Sequence, residues 1–595
     1  MITFPPGLAF GPETRDRGRS VVATQSFAPG ATIARFPGAD ASNPSISVPD
    51  NEHLPRTCHY CLAVPDPPFT YYTRASAADL ASLGLLTSNA ETTPAPQSST
   101  TTAAVRACTA CQTAHYCSRA CQKADWALAH GKGECKAFRR VTARFEAEKP
   151  PGQGQQQQHR DWKSQALPSN IRALVQALVR PELLAAMADM EAHADKDRTL
   201  ASGGTRAEIE FQAQAALHYM GREATPQSIT EAADIMCKIQ VNSFSRGAGD
   251  IGQNGFYSGP ALAMLNHSCI PNAFVTFEGR DAILHANREI KEGQEIEISY
   301  IDHHASRPQR QKSLKMRYYF DCACPRCRED LDVYQVCQRY PHLELNSFSL
   351  VPDLNKLRHP PVKQFVNSSP SLQQNIEAIY STCRAPLPDL NPAETRRELC
   401  RRWKLCAQLR NAGLYAVEPL PSVFEDANAY FNYQYNITYS LAVACFLALN
   451  VCPYRAHWPF YGFRVMGLLT VAKLLSETIS ARPHPATGTS LMARISRALG
   501  KMDRVTMCQT LLTMALHDWQ VLYSKESPVY LQAKDFLNDI EILPGRDTKK
   551  ALANAFTRNP NGSEERRFFE NEILEPIQVL AGFALEVMEA EFGTS

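Results

Sequence analysis

The sequence predicts an α+β multidomain protein with β-rich segments, a cysteine-rich zinc module between them and an all-α C-terminal array. Three observations predict this fold class. Apolar and polar residues alternate in short runs within 21–36 and 273–300, helical spacing runs from about residue 370 to the end, and seven cysteines cluster between 58 and 135. A chain of 595 residues is also too long for one hydrophobic core, so several domains are expected.

The composition is that of a folded protein without a dominant charge. Hydrophobic residues make up 44% and charged residues 21% of the chain, which excludes wholesale disorder, collagen and a coiled-coil rod. The 62 Lys and Arg nearly balance the 60 Asp and Glu. No overall electrostatic field therefore favours nucleic acid or an anionic membrane, although a local basic patch stays open.

The sequence indicates a reducing compartment. The longest apolar run, 441–452, has 12 residues, whereas a membrane helix needs about 20. The N-terminus has neither the basic region nor the long apolar region of a secretory signal. We therefore expect a protein of the cytoplasm, the nucleus or both, without a membrane segment, whose 19 cysteines stay reduced or bind metal.

The predicted strands lie on both sides of the cysteine cluster. Before it, Val21–Thr24 and Ile33–Phe36 flank a turn. After it, Ala273–Phe277 and Ala282–Ala286 are separated by four turn residues and predict a hairpin, and Glu295–Tyr300 alternates as a strand.

Helical spacing dominates 165–240 and 370–595. Asn391 followed by Pro392 predicts a helix start, and Gly413 predicts the end of that helix. Further helices are predicted to begin near Pro421, Pro459, Pro528 and Glu564. No fixed-period repeat is present in the sequence, so a helical array is predicted without a named solenoid class.

Four close pairs of possible zinc ligands fill the cysteine cluster: Cys58 and Cys61, Cys108 and Cys111, Cys117 and Cys121, and His130 and Cys135. Thiolates and imidazole are the ligands zinc prefers, and each short pair fixes two corners of a tetrahedron. The spacing therefore predicts two structural Zn²⁺ ions. The alternative is a set of unrelated buried thiols.

The order of these ligands resembles the MYND zinc finger, as do the strings HYCS at 115–118 and CQKADW at 121–126. The resemblance implies interleaved ions, one held by Cys58, Cys61, Cys117 and Cys121 and the other by Cys108, Cys111, His130 and Cys135. It also implies a surface for proline-rich peptides.

Two features depart from the finger pattern. His130 and Cys135 each stand one residue from the commonest spacing of the family. The 46 residues between Cys61 and Cys108 exceed the usual handful, and 87–103 is polar enough to predict a disordered insert. Closing a loop about five times longer costs only ~1.4 kcal/mol, small beside ~10 kcal/mol or more for zinc binding. A second polar stretch, 148–160, predicts a linker.

The string LNHSCIPN at 265–272 is by composition a polar turn. It resembles the signature of SET-domain lysine methyltransferases, and specifically of the SET and MYND (SMYD) family. The opening RGRSVVA at 17–23 resembles the first strands of that family. The resemblance implies a SET domain split by the finger, with a pseudoknot threaded by the Asn-His segment.

The resemblance also implies the site residues. S-adenosylmethionine would be bound by Arg17, Arg19, Asn242, Asn266, His267, Tyr318 and Phe320. Tyr300 resembles the catalytic tyrosine, although on its pattern alone it is a core tyrosine on the face of Ile296 and Ile298. The cofactor loop has Ser20 where the family has glycine, which leaves open a weaker cofactor affinity.

A third cysteine group, Cys322, Cys324 and Cys327, has Cys-x-Cys-x2-Cys spacing. The resemblance to a post-SET segment adds Cys269 as a fourth ligand. Four protein ligands leave no open position, so a structural zinc is predicted rather than a catalytic one.

These observations predict a monomeric S-adenosylmethionine-dependent methyltransferase with three zinc ions that acts on protein lysines. The alternative is an interaction scaffold that binds partners through the finger and has a weak or inactive SET domain. Nucleic-acid binding by the finger stays open. The predicted boundaries are 1–57 (first SET part), 58–135 (finger), 136–240 (linker and helical insertion), 241–303 (SET catalytic core), 304–330 (post-SET segment) and 370–595 (helical domain).

Overall fold

The computed structural model describes residues 2–13, 17–38, 40, 42–64, 105–147, 166–193, 206–248, 252–339, 379–383, 391–455, 462–480, 489–522, 525 and 527–593. The predicted insert (87–103), the predicted linker (148–160) and the helix start near Pro459 lie outside these residues. The described chain divides into two compact units. The first contains the chain up to Ile301 and Gln311–Cys322, and the second contains Asp302–Arg310 and the chain from Ala323 onward.

The first unit contains short strands in small sheets. The strands are β1 (Leu8–Phe10), β2 (Val21–Ala23), β3 (Thr32–Phe36), β4 (Ile46–Pro49), β5 (Arg106–Ala107), β6 (His115–Tyr116), β7 (Ser243–Ala248), β8 (Gly252–Ser258), β9 (Asn266–His267), β10 (Ala273–Glu278), β11 (Asp281–Ala286) and β12 (Glu297–Ile298). They form the sheets β1-β2, β10-β11-β3, β4-β8-β7, β5-β6 and β9-β12. Both larger sheets combine strands from before and after the cysteine cluster.

The predicted hairpin is confirmed with a tighter turn. β10 and β11 pair antiparallel until Glu278 faces Asp281, so only Gly279 and Arg280 lie between the strands. Gly279 has a φ of +54°, a conformation that costs glycine least. β3 adds to β11 and completes the sheet.

The predicted strand 295–300 is wrong in length, because its residues change partners. Glu295 forms a bridge to Val22, and Ile296 N–H donates to Val21 O. The next two residues form β12, which pairs in parallel with β9. The parallel ladder thus contains only Glu297 and Ile298.

The helices of the first unit lie both within the predicted helical region, 165–240, and outside it. They are α1 (Arg119–Asp125), α2 (Cys135–Ala147), α3 (Ser169–Leu178), α4 (Pro181–Ala186), α5 (Arg206–Met220), α6 (Pro226–Val241) and the part of α7 (Arg307–Tyr318) from Gln311 onward. A π-helical segment, Trp126–Glu134, joins α1 to α2. α3 is the central helix: Ile171–Ala177 is buried throughout and packs against β4, α5 and α6.

The second unit is helical in its described residues, as the sequence predicts. Its complete helices are α8 (Pro325–Glu329), α9 (Val333–Arg339), α10 (Pro392–Leu405), α11 (Ala407–Asn411), α12 (Leu420–Tyr433), α13 (Ile437–Asn450), α14 (Cys452–Arg455), α15 (Gly462–Ser480), α16 (Leu491–Leu499), α17 (Arg504–Leu522), α18 (Pro528–Glu541), α19 (Asp547–Arg558), α20 (Ser563–Phe569), α21 (Glu575–Gly582) and α22 (Ala584–Phe592). The predicted cap is confirmed, since the Asn391 side chain accepts from Glu394 N–H. The predicted single helix up to Gly413 is divided at Cys406 into α10 and α11.

One described segment, Ile437–Arg455, is long and apolar enough to cross a membrane by length and composition. It is 67% buried over its apolar window, and α13 packs against α12, α15 and α21. A buried core helix passes the same test of length and composition, and this burial favours that interpretation.

All 19 cysteines lie among the described residues, and none of them forms a disulfide, as expected. The eight outside the three predicted groups are mostly buried among apolar residues, with only Cys452 partly exposed: Cys237, Cys337, Cys383, Cys400, Cys406, Cys445, Cys452 and Cys508. Their burial matches the expectation of core thiols.

Gly255 is the site of a close approach between β8 and β4. A methyl group on Gly255 would lie 2.2 Å from Val48 O, on the backbone of the neighbouring strand. We expect Gly255→Ala to lower the free energy of unfolding by about 1–3 kcal/mol, the usual cost of overpacking. Differential scanning calorimetry measures the change. Gly582→Ala is the control, because a methyl group there meets nothing within 4 Å; equal stability of both variants would contradict the prediction.

Candidate active site and metal centres

The candidate active site is built around the parallel pair β9 and β12. Ser268 N–H donates to Ile298 O at 2.9 Å and extends the pairing by one residue. The Asn266 side chain donates from Nδ2 to Arg19 O and to Glu295 Oε1, both at 2.8 Å. The amide group thus joins the opening segment to the segment that precedes β12.

Arg17 links the opening segment to β9 and to the residues around β12 through ion pairs and a hydrogen bond. Its guanidinium lies 3.2 Å from Glu295 Oε2 and 2.8 Å from Glu297 Oε1, and it donates to His267 O at 3.1 Å. Burial alone would lower the pKa of Arg17, but the hydrogen bond and charge of Glu297 outweigh it and raise the pKa. These contacts give Arg17 a role in the fold of the site, and its predicted contact with a cofactor stays a prediction.

His267 and Tyr300 are neighbours in this site. Tyr300 N–H donates to His267 Nδ1 at 3.0 Å, and the two ring centroids are 5.3 Å apart. Because Nδ1 accepts this bond, the ring proton is on Nε2, which lies 3.2 Å from Cys269 Sγ. One histidine therefore connects the predicted catalytic tyrosine to the predicted zinc ligand Cys269.

Two further aromatic residues, Tyr318 and Phe320, extend the cluster formed by Tyr300 and His267. The ring centroid of Tyr300 lies 4.8 Å from that of Tyr318, and Phe320 lies 6.1 Å from His267. The Tyr300 hydroxyl donates to Leu265 O. Burial, with a smaller contribution from Tyr318, raises the pKa of Tyr300, so its hydroxyl is neutral at physiological pH.

Arg19 and Asn242 both contact one short segment that sequence reasoning missed. Arg19 donates to Asp189 O at 2.6 Å, and Asn242 donates to Glu191 O at 2.8 Å. Asn242 also caps α6 through Lys238 O. The segment carries no motif, and these bonds reach its backbone carbonyls, so no side-chain pattern could have identified it.

The serine in the opening loop faces the interior. Ser20 is buried, its hydroxyl donates to Pro12 O at 2.9 Å, and it is not among the residues with positive φ. Gly18 has a φ of +67°, and a methyl group there would meet nothing within 4 Å. The space next to the Gly18 backbone is therefore not filled by other described residues.

The finger brings its eight predicted ligands together in two groups. The ligand atoms of each group lie within 4.8 Å of one another, and the groups are Cys58, Cys61, Cys117 and Cys121, and Cys108, Cys111, His130 and Cys135. Sulfur–sulfur distances of 3.6 Å, from Cys61 and Cys121 to Cys117, illustrate the first group. Such clusters can hold several zinc ions.

The π-helical segment accounts for the unusual spacing of His130 and Cys135. Cys135 N–H donates to His130 O, five residues back, instead of the four residues of an α-helix. The wider turns take up the extra residues. His130 Nε2 still lies 3.7 Å from Cys111 Sγ, within reach of the same cluster.

The predicted post-SET ligands belong to both units. Cys269 and Cys322 lie in the first unit with their sulfur atoms 4.0 Å apart. Cys324 and Cys327 belong to the second unit, where Cys324 is the residue before α8 and Cys327 lies within that helix.

Sequence reasoning also missed a buried polar group next to the finger clusters. His59, Asp125 and Glu134 bring their side chains together in the interior. The neighbouring residues Cys58 and Cys135 were recognised as metal ligands from their spacing. His59 and Glu134, however, are 75 residues apart in the sequence. Pairing at that distance is not visible in a local pattern.

Comparisons with known proteins agree with this geometry. The SET domain family model matches residues 18–301. The SET domain and MYND-type zinc finger protein 6 of Schizosaccharomyces pombe is 34% identical, over 38% of this chain and 41% of its own length. Histone-lysine N-methyltransferase ASHR1 of Arabidopsis thaliana is 25% identical over 52% and 53%, and human N-lysine methyltransferase SMYD2 is 24% identical over 61% and 74%.

Residues 18–301 therefore contain a SET domain, and the parallel pair of β9 and β12 lies within the matched segment. Within this class the chain is similar to the SET domain and MYND-type zinc finger protein of Schizosaccharomyces pombe and to human SMYD2. It spans about half the length of the first curated relatives it matches, 41% and 53%.

Asn272 is a further residue on which the parallel pair of β9 and β12 depends. It is fully buried, donates from Nδ2 to Glu295 O at 2.8 Å, and accepts from Glu297 N–H at 2.8 Å. We expect Asn272→Leu to destabilise the protein by at least about 2 kcal/mol, because two buried backbone groups lose their partners. Urea denaturation measures the change, and Asn432→Leu on the surface of α12 is the control. Wild-type stability of Asn272→Leu would contradict the prediction.

Proposed function

We propose that this protein is an S-adenosylmethionine-dependent protein lysine N-methyltransferase. The observation that carries the proposal is the parallel pairing of β9 with β12, which joins Asn266, His267 and Tyr300 in one site. The SET domain match and relatives named as lysine methyltransferases support the same reaction. The substrates in this proposal are lysine side chains of proteins, histone or non-histone.

The pocket residues fit a cofactor that has both an ammonium and a carboxylate group. Asn242 and Asn266 use their side-chain N–H groups within the described chain, so their amide oxygens are the acceptors that remain for an ammonium group. The exposed guanidinium of Arg19 is a partner for a carboxylate. When bound, S-adenosylmethionine supplies a methyl group on a positively charged sulfur. We assign its binding to Arg17, Arg19, Asn242, Asn266, His267, Tyr318 and Phe320.

The aromatic residues prepare the substrate lysine. A free lysine has a pKa near 10.4 and is protonated at neutral pH, but an apolar aromatic channel disfavours the charged form. Tyr300, with Tyr318 beside it, favours the neutral amine, whose lone pair is the nucleophile. The oxygen of the Tyr300 hydroxyl accepts a hydrogen bond from the amine and orients it, and such positioning contributes several kcal/mol.

We assign three structural zinc ions to the chain. Two belong to the two finger groups. We assign the third to the predicted post-SET ligands Cys269, Cys322, Cys324 and Cys327, and the resemblance to a post-SET segment implies that it closes one side of the lysine channel. Because every set has four protein ligands, the ions stabilise structure and take no part in methyl transfer.

The proposal includes partners and location. The finger offers a surface for proline-rich peptides, and the protein acts as a monomer in the cytoplasm, the nucleus or both. The scaffold alternative depended on Ser20 blocking the cofactor loop. The inward hydroxyl of Ser20, bonded to Pro12 O, argues against such a block.

The test of the proposed function is Tyr300→Phe. We expect about a hundredfold loss of methyl transfer, equivalent to ~2.7 kcal/mol in the transition state, with cofactor binding little changed. Transfer of labelled methyl groups to proteins of a cell extract and calorimetry with S-adenosylmethionine measure the two effects. Tyr257→Phe, which removes a hydroxyl from another buried tyrosine of the same unit, is the control.

Two results would contradict the methyltransferase proposal. A Tyr300→Phe variant with more than about a third of wild-type turnover makes Tyr300 a packing residue. Wild-type protein that binds no S-adenosylmethionine at millimolar concentration favours the scaffold instead. Binding restored by Ser20→Gly would then identify the opening loop as the cause.

The zinc assignment predicts three ions per chain by elemental analysis. Cys324→Ala should remove one ion and reduce methyl transfer more than Cys117→Ala does, because only the post-SET ion borders the lysine channel. Two or fewer ions at full occupancy, or equal losses of activity in both variants, would show that the assignment is wrong.

A further inference from the structure

Glu134 lies at the end of the π-helical segment and is completely buried, with a side-chain exposure of 0%. Its Oε2 accepts from His130 Nδ1 at 3.0 Å and from His59 Nε2 at 3.3 Å. Its Oε1 accepts from Gln176 Nε2 at 3.0 Å. Three donors from three separate segments therefore converge on one carboxylate.

The bond to Glu134 determines which nitrogen of His130 is free to bind a metal. Because Nδ1 carries the proton that Glu134 accepts, the lone pair of neutral His130 is on Nε2. Nε2 is the nitrogen that lies 3.7 Å from Cys111 Sγ, on the side of the second cysteine group. Carboxylates that orient a metal-binding histidine in this way commonly raise metal affinity by 10- to 100-fold.

We propose that Glu134 is a positioning residue that fixes His130 for zinc and links the two finger sites to helix α3. The link runs through His59, next to Cys58 of the first group, and through Gln176 on α3. This inference rests on the proposed zinc sites. It adds that the second site depends on a carboxylate outside the ligand set, and that its metal retention depends on the packing of the finger against the helical insertion.

The competing interpretation is a fourth metal ion held by His59, Asp125 and Glu134, whose ligand atoms lie within 4.8 Å of one another. His59 Nδ1 and Asp125 Oδ1 are buried without a hydrogen-bond partner, which favours that interpretation. Against it, both oxygens of Glu134 are already occupied by the three donors, and Asp125 Oδ2 accepts from Tyr116 at 2.8 Å. A cation would have to displace these bonds.

The experiment compares full-length wild type, Glu134→Gln and Glu134→Ala, with Glu231→Gln on the exposed face of α6 as the control. Zinc release to a chromophoric chelator is followed in time, and elemental analysis gives the number of ions. We expect one of the ions to leave 10- to 100-fold faster from Glu134→Ala. Glu134→Gln should be intermediate, because an amide oxygen still accepts one of the bonds.

Cadmium-113 NMR of the cadmium-loaded protein identifies the affected site, because three sulfurs and one nitrogen give a resonance distinct from that of four sulfurs. We expect the Glu134 variants to shift only the resonance of the site with nitrogen. A merely structural Glu134 would leave that resonance unchanged, or would make the isosteric glutamine release zinc at the wild-type rate. Either result overturns the inference.

The same data separate this inference from the zinc assignment. Wild-type protein without a nitrogen-containing cadmium site would contradict the assignment of His130 itself. A normal site that is insensitive to Glu134 would contradict only the positioning role. A fourth ion in the wild type, lost in Glu134→Ala, would establish the competing metal site. If Glu134→Ala does not fold, Glu134→Gln alone still decides between these outcomes.

Discussion

The pairing of β9 with β12 is the interaction on which the rest of the site depends. It places a segment near residue 266 beside one near residue 297, and strand β2 pairs with the residues that directly precede β12. Arg17, Asn266 and Asn272 all hold this junction with buried or half-buried polar bonds. Such bonds are costly to leave unpaired, so each one favours a single register. The position of Tyr300 follows from that register.

The finger illustrates a second constraint, which is that local spacing and helix geometry must agree. His130 and Cys135 each stand one residue from the commonest ligand spacing of the family that the finger resembles. The π-helical segment takes up these residues in wider turns, and its Gly133 leaves the helical conformation with a φ of +156°. Buried Glu134 then supports the widened turn from inside. The position of the metal ligand His130 thus depends on both the π-helical segment and the buried contact with Glu134.

Features that depend on neighbouring residues were predictable from the sequence. The Asn391 cap, the hairpin around Gly279 and the close ligand pairs all involve residues within a few positions of each other. The short strand at 297–298 was not predictable, because its length depends on a change of partner from Val22 to Asn266. The contacts of Glu134 and the 189–191 segment were invisible for the same reason: their partners are distant in sequence and include backbone carbonyls.

The change of partner along residues 295–298 has a consequence for biosynthesis. The strand near Val22 leaves the ribosome early, yet one of its edges can be covered only after residue 296 has been added. Domains tend to fold as units during synthesis, and unpaired strand edges are prone to aggregate while they wait. That edge of β2 therefore stays without its native partner while more than two hundred further residues are synthesised. A premature stop before Ile298 would release a polypeptide that cannot close its own sheet.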